Sequence, residues 1–427
     1  MRRYLFLLVM LLGLVLAGCD LLAGRVEIAQ SERPRDISPG AKPEERRELT
    51  AGNNAFAFDL YRALFKSPGN FLFCPQGLSA ALAQVYAGAR GETARQLART
   101  LHFTLPPPRL HAAFNQADLA LAHLGRDATD QPLRGFRLEM ASSLWAQQGA
   151  YLLPEFLDLL AENYGANVAL VDFRNDLPGA RRAIDQWANR KTDGRLLNLV
   201  PSQCLDPSSN MVLANVGYLK DRWLLPFEKA LTHPAPFTLP EGRLVTAEMM
   251  SRTGLFGYAA AFGCQAVELP YRSGLSLLLL LPENPDFAQF ERALTSGQIG
   301  EITAQLAPRP LALILPKFRC ESQFNLAEKL SELGMSSPFA PRADFSGLSN
   351  TRGLFLAAVA HQVLFSINED GTEAGTETGA SAPPTGARLP GRTETVNLTI
   401  NRPFVFLVRD QGTGALLFLG RVLDPTR

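Results

Sequence analysis

Few residues in this chain have the type and spacing for chemistry. Ser79 lies in Gly77-Leu78-Ser79-Ala80-Ala81, which lacks the second glycine of a nucleophile elbow. There is no His-Glu-x-x-His and no phosphate-binding glycine loop. Cys74, Cys204, Cys264 and Cys320 are widely spaced, with no Cys-x-x-Cys and no histidine at ligand spacing, so neither metal nor cofactor is expected and no disulfide is assigned. His102, His111, His123 and His233 stand in polar or irregular surroundings, and nothing implies a partner for them. His361 differs, because Val359-Ala360-His361-Gln362-Val363 reads as an apolar strand whose histidine must be satisfied inside the core. The chain is not read as an enzyme.

What remains is backbone chemistry. Val363 to Ile367 is a short strand-like run that leads into about twenty residues of Gly, Thr, Ala, Ser and Pro, ending near Pro390. Such a tract has too little apolar surface to pack for itself and reads as an exposed loop. Its alternate residues Thr372, Ala374, Thr376, Thr378, Ala380 and Ala382 are small and uncharged, whereas Glu373, Gly375, Glu377, Gly379, Ser381 and Pro383 carry both charges. Successive strand side chains point to opposite faces. The tract could therefore enter a sheet with small residues inward and glutamates in water.

Apolar periodicity supplies the elements around it. Asn53 to Lys66 reads as a helix capped at Asn53 or Asn54, Asn70 to Pro75 as a buried strand, and Leu78 to Gly88 as a second helix. Met211 to Tyr218, Ser276 to Pro282, Leu313 to Phe318, Phe404 to Val408 and Ala415 to Val422 read as strands.

Several of these segments resemble the serpin family. Glu369-Asp370-Gly371-Thr372-Glu373-Ala374 is similar to the hinge of its reactive loop, Ala89 to Thr93 to its Gly-Ala-x-Gly-x-Thr, and Asn401-Arg402-Pro403-Phe404 to its carboxyl-terminal signature. The resemblance runs from about Asn53 to Pro425. It implies an α+β fold of three β-sheets with eight to nine helices and an exposed reactive-centre loop, as one domain over residues 51–427. It also implies a suicide-substrate inhibitor of serine, or cysteine, endopeptidases. The protease cuts the loop, is trapped as an acyl-enzyme, and is carried off as the loop inserts in the central sheet. Strand insertion by serpins is a known instance of β-strand addition. The alternative is a non-inhibitory member acting as a binding or scaffold protein at the cell envelope; large or charged inward hinge residues would mark it, and none is present.

The hinge implied is Glu369, Gly371, Thr372, Glu373 and Ala374, and the family's spacing puts the reactive bond at Thr385-Gly386, with Arg388-Leu389 as the alternative. A sheet-opening region is implied at Cys74, Asn215, Trp223 and His361. Here the chain departs from the pattern, because Cys74 and Gly77 stand where the family has serines. The partner implied is a serine protease held covalently by a monomer.

The 42 basic and 41 acidic side chains give no electrostatic case for nucleic acid. Met1 to Gly18 has a signal peptide's basic start and apolar run, too short for a comfortable membrane span. Leu16-Ala17-Gly18-Cys19 resembles a bacterial lipobox, making Cys19 a lipidation site. Residues 19–50, charged and proline-containing, then read as a flexible tether. The expectation is an exported cell-envelope lipoprotein, anchored to a membrane through Cys19, its domain held off the surface.

Overall fold

Runs of large and β-branched apolar residues build two sheets, which the helices cover. In the computed structural model, residues 26–126, 129, 131–372 and 394–427 are described. The strands in chain order are β1 (Glu27–Ala29), β2 (Phe71–Phe73), β3 (Arg137–Gln147), β4 (Val168–Val171), β5 (Met211–Arg222), β6 (His233–Thr238), β7 (Leu244–Ala261) and β8 (Cys264–Pro270). They continue with β9 (Leu275–Pro282), β10 (Ala307–Pro316), β11 (Phe318–Asn325), β12 (Leu356–Asn368), β13 (Gly371–Thr372), β14 (Val396–Thr399), β15 (Phe404–Asp410) and β16 (Leu416–Val422). The helices are α1 (Pro43–Leu64), α2 (Pro75–Gly88), α3 (Gly91–Thr100), α4 (Pro107–Leu124), α5 (Pro154–Tyr164), α6 (Leu177–Lys191), α7 (Phe287–Ala293), α8 (Ser296–Gln305) and α9 (Ala327–Glu332).

The central sheet has the order β1-β4-β3-β5-β13-β12-β11, and β5 also pairs directly with β12. The second runs β14-β10-β7-β8-β9-β15-β16-β2, with β6 on β7. What the resemblance gives as separate second and third sheets is one hydrogen-bonded surface among the described residues. The eighteen-residue β7 joins them, pairing with β6 and β10 along one stretch and with β8 near its end. Between the sheets, Phe318, Phe365, Phe406 and Phe418 pack ring on ring, with Phe365 stacked on Phe406 at 5.2 Å. On its other face the central sheet carries α6, whose Ala180, Ile184 and Ala188 share a cluster with Val212 and Ala214 of β5 and Ala358 and Ala360 of β12. That helix therefore lies across the β5–β12 seam.

Three expectations are corrected. First, α1 starts at Pro43, not Asn53: a proline leads its first turn and the Lys42 N–H donates to Glu45 Oε2 at 2.7 Å. Asn53 and Asn54 are mid-helix; Asn53 is buried against Gln76 and Ser79, and Asn54 bonds the backbone at Gly414 and Leu416.

Second, the stretch read as a tether is packed from Val26 onward. β1 adds antiparallel to β4, Arg33 pairs with Glu162 at 2.7 Å, and Arg35 pairs with Asp118 at 2.7 Å and donates to Asn115 Oδ1 at 2.9 Å. Charges that read as a solvated chain are docking charges, with partners 129 and 83 residues away on α5 and α4. Third, the strand before the loop is longer at both ends than Val363–Ile367. The signal segment and Cys19 lie outside the described residues.

Candidate functional site

β5 and β12 run parallel and touch from Met211↔Leu356 to Tyr218↔Leu364. Beyond Tyr218 they part, and β13 fills the gap, pairing antiparallel with both: Gly371 with Arg222 and Asn368, Thr372 with Asp221 and Ile367. The seam is thus closed at one end and already holds the first hinge residues at the other.

The turn that makes this possible is local. Asn368 Oδ1 accepts from the backbone N–H of Asp370 at 2.9 Å and of Gly371 at 3.3 Å, reversing the chain. Gly371 has φ +152°, and a Cβ there would overlap the Asp221 carbonyl oxygen, so only glycine fits. Thr372 is fully buried, its hydroxyl 2.5 Å from the Tyr271 hydroxyl. Tyr271 in turn lies flat against Trp223, ring centroids 4.4 Å apart and planes 13° apart. Trp223 stands just past β5, its Nε1 donating to Asn368 O at 2.9 Å and its backbone N–H to Asp370 O at 3.0 Å. A stacked aromatic pair therefore closes over the turn and the inserted threonine.

Charge holds the same turn. Glu369, 6% exposed, accepts from Thr232 Oγ1 at 2.8 Å and Lys317 Nζ at 3.1 Å, while its carbonyl takes the Phe227 N–H. Burial alone would raise this carboxyl, but its own backbone N–H, Thr232 and Lys317 together hold it below its usual range. Asp370 pairs with Lys229 at 2.9 Å. Beneath Thr372, Asp221 is pushed up to about 6, chiefly by burial, although Ser273 Oγ donates to it at 2.5 Å and the Arg222 N–H at 2.7 Å.

The sheet-opening cluster lies lower on the same seam. Asn215 and His361 are fully buried partners across β5 and β12. Cys74, the residue before α2, donates its backbone N–H to His361 Nε2 at 3.0 Å, which puts the neutral ring's proton on Nδ1. Burial drives the His361 pKa down to about 3, and a backbone group of Asn215 opposes this only in part. Asn215 Nδ2 donates to Ala141 O at 3.1 Å and Gly77 O at 3.3 Å. Asn215 Oδ1 and His361 Nδ1 have no side-chain hydrogen bond of regular geometry. The absent serine hydroxyls are the physical counterpart, because Cys74 offers a weak thiol and Gly77 nothing. A Cβ at Gly77 would stand 3.0 Å from Cys74 Sγ and 3.4 Å from Asn215 Nδ2, so the cluster has closed up around the glycine.

Of the expected site residues, Glu369, Gly371 and Thr372 converge with Trp223, while Cys74, Asn215 and His361 converge lower down. Glu373, Ala374, Thr385, Gly386, Arg388 and Leu389 lie outside the described residues. Sequence reading missed Asp221, Tyr271, Thr232 and Lys317. Asp221 had a signal, as a carboxylate directly following the apolar run Met211–Tyr218; the others are joined only by the fold. Among the described residues the four cysteines are free, no group of three or more metal-binding side chains occurs, and no helix is long and apolar enough to cross a membrane.

The family model described as serpin (serine protease inhibitor) matches residues 51–425. The chain belongs to the serpin family. Leukocyte elastase inhibitor of Sus scrofa is 33% identical over 393 residues, covering 88% of this chain and all of the relative. An uncharacterized serpin-like protein of Thermococcus kodakarensis is 32% identical over 385 residues, 90% of this chain and 87% of the relative. Among solved structures, human thyroxine-binding globulin complexed with thyroxine has a TM-score of 0.78 at 26% identity, covering 90% of this chain and all of its own. The α+β serpin fold is thus shown by sequence and by structure. Its relatives include protease inhibitors, alongside a serpin whose printed role is to bind a hormone.

Proposed function

We propose that this serpin is a suicide-substrate inhibitor of serine endopeptidases. A protease cuts the loop at Thr385-Gly386, or at Arg388-Leu389, and remains attached through an acyl bond while the loop enters the central sheet between β5 and β12. The observation that carries this reading is the position of Thr372, buried between those two strands as the first residue of the new one. Only small side chains follow on its face as far as Ala382. Continuing the ladder over Thr372–Ala382 adds about 36 Å of strand at about 3.3 Å per residue. At about 1 kcal/mol per net backbone hydrogen bond, this is worth on the order of 10 kcal/mol before side-chain packing.

Incubation with elastase, subtilisin and trypsin separately, followed by denaturing gels and mass spectrometry, tests it. A covalent complex releasing a fragment that begins at Gly386 or Leu389 supports inhibition and names the bond. Clean cleavage by all three without a complex favours the binding or scaffold reading, the kind of role printed for thyroxine-binding globulin.

The amino terminus supports a second part of the reading: export through Met1–Gly18, acylation of Cys19 and residence at the cell envelope. Seven chain steps separate Cys19 from Val26, a reach of at most about 25 Å. The packed body would therefore sit close to the bilayer instead of hanging on a long tether. Loss of membrane association and of acyl labelling in Cys19→Ser tests this part; unchanged fractionation would refute it.

A further inference from the structure

Seven strand residues of the central sheet have a neighbour on one side only. β3 pairs with β5 along Arg137–Ala146, but with β4 only from Leu144 onward. Beside that open edge lies a cavity of about 1270 Å3, bounded by β1, β3, β4 and one face of α6. It exceeds the roughly 300–1,000 Å3 of ordinary small-molecule sites. The strand residues Ala141, Trp145, Ala169 and Ile28 line it, with Ala183 and Trp187 of α6. Val26 and Ile28 on its rim remain 38% and 46% exposed, so nothing described covers this apolar border.

Two observations point to a ligand with an acidic head. Arg182, Arg190 and Lys191, at helical spacing on the lining face of α6, form no ion pair among the described residues. The acidic residues on the same lining are already engaged, Asp118 by Arg35 at 2.7 Å and Glu139 by Arg137 at 3.7 Å. The second observation is Trp145, 2% exposed, whose indole N–H lines the cavity without a hydrogen-bond partner. Buried donors are ordinarily satisfied, and an apolar ligand alone would leave this one orphaned.

We infer that this cavity binds a long-chain fatty acid as its carboxylate, the acyl chain lying over Ala141, Ala169 and Ile28 and the head met by the α6 cations and the Trp145 N–H. An unbranched chain fits a long groove floored by small side chains. An acid head supplies the charge that three unpaired cations and an unused donor lack.

The test uses the chain from Asp20 onward, so that no acyl group is attached, and palmitate below its micelle concentration. Two of the three tryptophans line the cavity, so a conjugated fatty acid is read by energy transfer from Trp145 and Trp187 and displaced with palmitate. Saturable one-to-one binding is expected, with hexadecanol a poor competitor. Reversing the exposed cations together (Arg182→Glu, Arg190→Glu, Lys191→Glu) should weaken palmitate by about tenfold or more. Trp145→Phe, which keeps a ring and removes the donor, should weaken it about threefold and covers the case in which the triple variant fails to fold. Absence of saturable palmitate binding overturns the inference, as does equal competition by hexadecanol with no effect of either variant. Binding confined to anionic vesicles would also overturn it, making this face a membrane contact.

Discussion

Thr372 is the ladder partner of Asp221, buried between two strands that elsewhere in the sheet touch each other. The hinge has therefore begun the insertion that inhibition would complete. Thr372→Arg puts a cation where no described acid but Asp221 is near, and leaving a charge uncompensated there costs about 3–5 kcal/mol. The variant should fold with its hinge outside the ladder and be cut by the target protease as a plain substrate. Thr372→Val should keep the complex. Denaturing gels at equal protease read the difference, and an arginine variant that traps protease as well as the parent would contradict the account.

Gly371 makes a separate prediction. Gly371→Ala overlaps the Asp221 carbonyl, so the hinge must leave the seam, at a cost of about 1–3 kcal/mol. Trp223 loses the carbonyl of Asn368 as partner when the turn moves. Its emission should shift, with a lower thermal midpoint; an unchanged spectrum and midpoint would mean that the turn holds without glycine.

Two buried groups on the seam titrate in opposition. Asp221 rises from 3.8 to about 6, so the folded state holds a proton that the unfolded chain has lost, and stability from this group falls as pH rises across that window. His361 falls from 6.5 to about 3, so the unfolded chain takes up the proton first and stability rises with pH over its window. Between pH 4 and 6 the two slopes largely cancel. Asp221→Asn removes one of them. Its unfolding free energy should climb with pH about 1.4 kcal/mol per unit more steeply than that of the parent. Urea unfolding at pH 4, 5 and 6 measures this, and parallel curves would contradict it.

The cysteines should differ in reactivity. Burial pushes the thiols of Cys74 and Cys320 up to about 12 and that of Cys264 up to about 11, whereas Cys204 lies half-exposed beside the start of β5. Thiolate is the reactive form. Alkylation at pH 8 should label Cys204 alone in the folded protein and all four in urea, as peptide mapping would show. Early labelling of Cys74 would mean that the sheet-opening cluster breathes.

The sequence made the hinge legible because its chemistry is local: an asparagine turn, a glycine that must be glycine, a small residue that must be buried. It made β5 and β12 legible as apolar runs, but not their parting beyond Tyr218, which depends on two strands 138 or more residues apart in the chain. The amino-terminal strap was misread for the same reason. Arg33 and Arg35 carry no local mark that their partners are Glu162 and Asp118. Tyr271, in a segment already matched to the family, gave no hint that its hydroxyl would meet Thr372. The departure at Cys74 and Gly77 was visible in the sequence, but its consequence, unsatisfied polar atoms on Asn215 and His361, required the packed cluster.

The central claim, that the cut loop enters between β5 and β12, is tested most directly by amide hydrogen exchange on the chain before and after cleavage of the loop. If the loop inserts, peptides covering Met211–Arg222 and Leu356–Asn368 gain protection, and the thermal midpoint rises with the roughly 10 kcal/mol of new ladder. If exchange across the seam and the midpoint both stay as they were in the uncut chain, the loop does not insert, and the inhibitory account falls.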